Sequence, residues 1–369
     1  MPAVISDENF EVRKITTAVF ANASLGHYSD HCRSAAQVVK SYKHSMKFFY
    51  LSSHDIRFKH IMDVQLKTYL EERCVNSSKS AILSTLCQCT KQVAEILAET
   101  TVHVVGSANV FGDPQLTVDV RADDAIFDTL TRSSLVSFAA SEEQPDMREL
   151  TPDGEFMVVF DPLDGSSIVD CNWSVGSIFG VFLTNSSHSL TGVRGRDQVM
   201  SAVSIYGPRT CVIVALPGVG AFETTLVNNE WVITSEFSSI SSNAKIFSPA
   251  NLRATQDLPG YQSLVNEWMA QRLTLRYTGG MVPDIASILL KGNGIFCSPV
   301  SAKAPAKLRL VFECAPIALI IETAGGAALN DGSGSPILDI PIKSMDERVG
   351  IVCGSSDEVN RAVSAIRSA

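Results

Sequence analysis

Three carboxylates sit where a chain can least easily keep them. Asp161 ends the apolar run FMVVF, Asp164 follows three residues later, and Glu313 lies between LRLVF and CAPIALII. A carboxylate drawn into an apolar interior needs a cation or hydrogen-bond donors to replace its water. The fold of this chain must therefore deliver one or the other to these positions. The first two acids belong to FDPLDGSS, residues 160–167, where a strand-like run breaks into a small, donor-rich turn. Asp161 and Asp164 offer hard oxygen ligands of the kind magnesium takes, and Pro162 fixes the backbone between them. Gly165, Ser166 and Ser167 can aim backbone N–H groups at a phosphate. Taken alone, a DxxDG turn suits an ordinary surface loop equally well.

Other acids point the same way. Glu142 and Glu143 stand together after an apolar segment, while Asp113 precedes and Asp119 lies within a strand-like LTVDV run. Adjacent acids repel unless something positive holds them, although such pairs are also common on solvated faces. The formal net charge of -9 argues against a general affinity for nucleic acid, which needs basic surface to neutralise phosphates. A small anion would need a local group of Lys and Arg, or metal ions. No apolar run approaches the roughly 18 residues of a membrane span, and MPAVISDENFE resembles neither a secretory signal nor an Arg-rich transit peptide. The nine cysteines are scattered without a CxxC pair, which fits reduced thiols and a cytoplasmic location, or a plastid if a presequence has been removed. Cys87 and Cys89 read as buried small hydrophobes on a helix rather than zinc ligands, and His27, His31, His44 and His54 have no completed metal motif.

With 369 residues, 45% of them hydrophobic, the chain can bury a large core. From about His60 to Glu99 the apolar positions recur at helical spacing, predicting two amphipathic helices parted at Asn76–Ser78, with one of these residues as N-cap. Beyond Val102 the texture changes to short β-rich runs at 156–160, 178–183 and 210–216, mixed with helical pieces. That is an α/β or mixed α+β pattern. The polar stretch from Ser235 to Lys245 is the natural boundary between halves. The expected organisation is an N-terminal extension over 1–55, a metal-binding half over 56–240 and a sugar-phosphate-binding half over 241–369. No GxSxG and no GxxxxGK[ST] is present, so serine-hydrolase and P-loop chemistry are unsupported.

The ordered segments GDPQLTVD (112–119), SEE (141–143), FDPLDGSSIVD (160–170), VGSIFGV (175–181), YGPRT (206–210), FSPANLRAT (247–255), LRYTGGMVPD (275–284) and KLRLVFECAP (307–316) resemble the fructose-1,6-bisphosphatase and inositol monophosphatase superfamily over about residues 81–366. Within it, LRYTGGMVPD and FSPANLRAT look like the sedoheptulose-1,7-bisphosphatase branch. Fructose-1,6-bisphosphatases tend to carry Ser at the position of Gly280 and Ala at that of Pro283. The resemblance implies a layered αβαβα sandwich and hydrolysis of a sugar bisphosphate, sedoheptulose-1,7-bisphosphate first, with a fructose-1,6-bisphosphatase or a dual-specificity bisphosphatase as the alternative and a catalytically inactive sugar-phosphate sensor as a minor one. It also implies two or three magnesium ions held by Glu142, Asp161, Asp164, Glu313, the Leu163 carbonyl and Asp113. Asp119 and Glu143 would form the dyad that takes a proton from the attacking water. Asn251, Arg276, Tyr277 and Lys307 correspond to positions that hold the far phosphate, and Arg309 lies near the reacting centre. The position of Arg276 serves a neighbouring subunit in this branch, so a homodimer or larger homo-oligomer is expected. Ser298 replaces a phosphate-binding tyrosine of many fructose-1,6-bisphosphatases. The cysteine pair before the GDxQ segment of chloroplast members is absent, as is the Gly-Thr-Gly segment tied to AMP inhibition, so neither control is expected.

Overall fold

A computed structural model describes residues 64–101, 104–108 and 114–368. The proposed extension 1–55, the four N-terminal histidines and Asp113 lie outside the described residues. In chain order, β1 (Val64–Gln65) runs into helices α1 (Leu66–Glu72) and α2 (Ser77–Glu99), followed by β2 (Val104–Ala108), β3 (Pro114–Leu116) and α3 (Thr117–Ser133). Then come β4 (Val136–Ser141), β5 (Arg148–Glu149), β6 (Phe156–Asp164), the short α4 (Ser166–Val169), β7 (Val175–Leu183), β8 (Met200–Tyr206), β9 (Thr210–Leu216), β10 (Gly220–Val227) and β11 (Glu230–Phe237). The remainder holds β12 (Ile246–Pro249), α5 (Pro259–Ala270), β13 (Thr274–Leu275), α6 (Met281–Lys291), β14 (Ile295–Ser298), α7 (Ala315–Thr323), β15 (Ala327–Leu329), β16 (Ile351–Gly354) and α8 (Ser356–Arg367).

Nine of these strands form one sheet, in the order β1-β11-β10-β9-β8-β7-β6-β4-β5. Its neighbours are antiparallel except β4 and β6, which run parallel. All nine residues of β6 are buried. That explains why FMVVF reads as a continuous apolar run: alternate side chains serve two different cores. Phe156, Val158 and Phe160 pack with Ile82 and Leu86 of α2 and Val118 and Ile126 of α3. Met157 and Val159 face the other way, toward Ile285 of α6, Ile317 and Ile320 of α7, and Phe296 and Ile351 of a second sheet. That sheet has the order β13-β12-β14-β16-β15, and its far face meets Tyr261 and Trp268 of α5 and Val359 and Val363 of α8. The layers therefore alternate as the expected αβαβα sandwich. The polar segment 238–245 connects the two sheets.

The two predicted helices are present. Asn76 caps α2 by accepting the Lys79 N–H at 2.8 Å, satisfying one of the donors that a helix start leaves unpaired. Cys87 and Cys89 are buried on α2, as expected. The helical pattern begins later than its spacing suggested, because Val64 and Gln65 pair with Ile233 and Val232 of β11 before α1 starts. LTVDV is not a strand. Thr117 opens α3, and Asp119 Oδ2 accepts the Leu116 N–H at 2.9 Å, so a short polar acid favours the helix start over the β-branched residues around it.

The outer helices meet at a glycine. A Cβ on Gly260 of α5 would lie 1.9 Å from the Ala365 carbonyl oxygen of α8. Replacing Gly by Ala usually favours a helix by up to about 1 kcal/mol, but here backbone must move. Gly260→Ala should lower unfolding stability by about 1–3 kcal/mol in urea titrations while leaving activity per folded molecule unchanged. Equal or higher stability would show that α8 shifts freely.

Candidate active site

Parallel pairing of β4 and β6 brings their carboxyl ends side by side: Ser141 sits opposite Phe160, and the Glu142 N–H donates to the Phe160 carbonyl at 2.9 Å. Glu142 thereby emerges next to Asp161. On the other side of β6 the ladder to β7 is irregular between Asp161 and Asp164, where Pro162 supplies no N–H. The third acid arrives from 150 residues on. Glu313 lies in a π-helical turn, Leu310–Cys314, that runs into α7. Such a turn inserts a residue into the helical repeat and re-aims its side chains. One oxygen each from Glu142, Asp161 and Glu313 lie within 4.8 Å of one another.

Little positive charge balances them. The Arg309 guanidinium donates to Glu142 and, through Nε, to Asp346 at 3.2 Å, while the Arg309 backbone N–H donates to Glu313 Oε2 at 2.5 Å. Burial raises the Glu142 carboxyl to about 7, opposed by Arg309 and reinforced by Glu143. Burial, then the charge of Glu142, pushes Asp161 and Glu313 well above the usual carboxylate range. Three acids, Asp161 and Glu313 buried and Glu142 partly so, bring more negative charge than one guanidinium cancels, and every donor is a hard oxygen. That combination fits magnesium far better than a soft metal. Asp164 is held differently. Its two oxygens accept the Met281 and Val282 N–H groups at 3.0 and 2.6 Å, at the start of α6. Burial raises it to about 6, and those two N–H groups work against the rise. A side chain on Gly280 would press on this carboxylate, its Cβ 3.3 Å from Asp164 Oδ2.

Asp119 is buried, and its Oδ1 has no hydrogen-bond partner among the described residues. Burial lifts it to about 7 against the Leu116 N–H, with Glu143 and Glu142 adding repulsion. Glu143 is placed by Ser141, whose hydroxyl oxygen accepts the N–H groups of Glu143 and Gln144 at 3.1 and 2.9 Å. One acid here escaped the sequence reading. Asp123, one turn after Asp119 on α3, is buried, raised to about 6 by that burial, and accepts Gln144 Nε2 at 2.6 Å. Its i, i+4 spacing from Asp119 was the available signal.

A cavity of about 420 Å³ opens beside Asp164 and Ser167, lined also by Asn251, Tyr277, Ser298 and Lys307. Gly165 turns the chain into α4 with a φ of 89°, a conformation that excludes most side chains. The Asn251 amide donates to the carbonyls of Pro299 and Ala304 at 2.7 and 3.2 Å, and the Tyr277 hydroxyl to that of Ala250 at 3.0 Å. Gly165, Ser166, Arg276 and Arg309 are not among the lining residues. Arg276 is exposed, held through its backbone by Phe247 and Ser248. Arg253 lines the cavity without having been singled out as a ligand.

The raised acids make metal-free stability depend on pH. Asp119 and Glu142 stand near 7 in the folded chain and near 4 when unfolded, so their contribution is fully present below about pH 4 and is lost as pH rises through 7. Chelator-treated protein should melt several degrees lower at pH 8 than at pH 5.5, and magnesium should raise the melting temperature more at pH 8. A magnesium effect independent of pH would contradict a cluster held together by cation charge.

Residues 59–236 match the family model for the fructose-1-6-bisphosphatase N-terminal domain, and residues 240–367 the model for the C-terminal domain. The chain is 42% identical over 319 residues to the chloroplastic sedoheptulose-1,7-bisphosphatase of Spinacia oleracea, covering 78% of this chain and 81% of the relative. It is 35% identical over 303 residues to the class 1 fructose-1,6-bisphosphatase of Pelobacter propionicus, covering 81% and 91%. A Toxoplasma gondii crystal structure carrying a sedoheptulose-1,7-bisphosphatase name superposes with a TM-score of 0.77 at 41% identity, covering 82% of this chain and 98% of that one.

Proposed function

Because the chain belongs to the fructose-1,6-bisphosphatase family, we propose that it hydrolyses sedoheptulose-1,7-bisphosphate to the 7-phosphate and inorganic phosphate. The observation that carries this reading is the convergence of Glu142, Asp161 and Glu313, with Asp164, three residues after Asp161, lining a cavity that has Arg253 and Lys307 on its wall. Glu142, Asp161, Glu313 and Asp164, with the Leu163 carbonyl, would hold magnesium, and Asp113 a further ion. Bound there, magnesium makes water a better nucleophile and neutralises charge on the phosphoryl oxygens.

The chain's own residues do the rest. Asp119, raised to about 7 with one unpartnered oxygen, suits a proton acceptor at neutral pH, and Glu143 shares that task. Arg309 neutralises part of the cluster through Glu142 and so lowers the negative charge that a transferring phosphoryl group would meet. Ser166 and Ser167, following Gly165, offer backbone N–H groups to the phosphate. Lys307 supplies positive charge to the far phosphate, and Asn251 and Tyr277 shape its seat. Arg276, exposed immediately after β13, would reach the site of a partner subunit in a homodimer. The scattered cysteines suit a reducing compartment: the cytosol, or a plastid as for the spinach relative. Among the described residues no helix is long and apolar enough to cross a membrane.

Side-by-side turnover of sedoheptulose-1,7- and fructose-1,6-bisphosphate tests the substrate, and a larger kcat/KM for the six-carbon sugar would overturn the preference. Asp161→Asn should reduce turnover to less than about a tenth even at saturating magnesium, whereas Glu143→Gln should depress kcat with little change in substrate affinity. Parallel loss of metal and substrate affinity in Glu143→Gln would move Glu143 from proton acceptor to ligand.

Subunit sharing has its own test. Arg276→Ala should raise the KM for the bisphosphate by about 2–3 kcal/mol, and mixing Arg276→Ala chains with Asp161→Asn chains should restore part of the lost activity. In a mixed dimer one site combines an intact acid cluster with an intact arginine. No recovery in mixtures shown by mass spectrometry to have exchanged subunits would exclude a shared site.

A further inference from the structure

One wall of the cavity is made of strand ends. β13, β12 and β14 run parallel as neighbours, with Ile246 opposite Thr274 and Phe247 opposite Ile295, so their carboxyl ends open along one edge of the smaller sheet. Tyr277 follows β13, Asn251 to Arg253 follow β12, and Ser298 closes β14. Ligands of α/β sheets gather at such carboxyl edges. The obvious donors there are already engaged, since the Asn251 amide and the Tyr277 hydroxyl donate to backbone carbonyls. Two cations on the same wall are not. Arg253 and Lys307 are exposed, and neither makes a hydrogen bond or ion pair among the described residues.

These two cations stand at different places. Lys307 lies two residues before Arg309, whose guanidinium pairs with Glu142, so it comes from the segment that supplies a partner to the acids. Arg253 comes from the 3-10 turn Leu252–Gln256, on a separate element, and its charge is felt at Tyr277. Ser298, at the end of β14, lines the same cavity. We infer that Arg253 is the specificity-determining cation that grips the far phosphate and so sets the length of sugar the cavity accepts. Its planar fork can meet two phosphate oxygens at once, which a lysine ammonium does only as a point charge. A seven-carbon sugar anchored at the acids carries its far phosphate to Arg253, and a six-carbon sugar stops short, nearer Lys307. This rests on the bisphosphatase reading.

The test uses the full chain with magnesium, as wild type, Arg253→Gln and Arg253→Lys, with circular dichroism to verify folding. Calorimetry would measure binding of sedoheptulose 7-phosphate and fructose 6-phosphate, each carrying only the far phosphate. Arg253→Gln should weaken the seven-carbon ligand about tenfold and the six-carbon ligand by less than about threefold, with Arg253→Lys between wild type and Arg253→Gln. For the bisphosphates the loss should fall on KM rather than kcat. Equal losses for both sugars, or no loss, would overturn the assignment. Wild-type turnover of the two bisphosphates is read in the same series: its absence counts against the bisphosphatase reading, while the binding comparison still decides the role of Arg253.

Discussion

Acids of like charge gathered in a low-dielectric corner repel one another, and the architecture around them is arranged to keep them together. Glu142 and Asp161 leave adjacent parallel strands whose other residues are locked in two cores, so neither can retreat without unpacking the sheet. Glu313 is fixed by a π-helical turn whose neighbours Phe312 and Cys314 are fully buried. Burial energy, at about 1.5–3 kcal/mol for each large apolar side chain, is what opposes the repulsion. Charge gathered in this way is what a divalent cation would offset, and oxygen donors suit such a cation.

The surrounding groups divide the remaining work between backbone and side chain. Asp164 is positioned by two N–H groups at the start of α6, donors the helix would otherwise leave unpaired. Arg309 touches Glu142 and Glu313 together, through its guanidinium and its backbone N–H, and so ties the β4 end to the π-turn. Ser141 performs a similar service for Glu143. Small residues keep this geometry open: Gly165 turns through a positive φ, and Gly280 leaves room beside Asp164. The cavity runs from Asp164, at the end of β6, to the carboxyl edge of the smaller sheet, so two sheets that share one core both contribute to its wall.

Much of this was legible in the sequence. Apolar runs bounded by turns marked β6, β7 and β9, helical periodicity marked α1 and α2, and a carboxylate inside an apolar run marked Asp161 and Glu313, because period and burial are local consequences of residue type. Where two local signals conflicted the reading failed: LTVDV has strand propensity, but the Asp119 carboxylate cap made it a helix start. Residue order alone says nothing of which acids meet. Glu142 reaches Asp161 by parallel strand pairing, Glu313 reaches both through a π-turn, and Arg253 and Ser298 share a wall because β12 and β14 are neighbours. Those are long-range juxtapositions, determined by how sheets pair and cores pack, and residue type fixes the chemistry of each group without fixing its distance to the next.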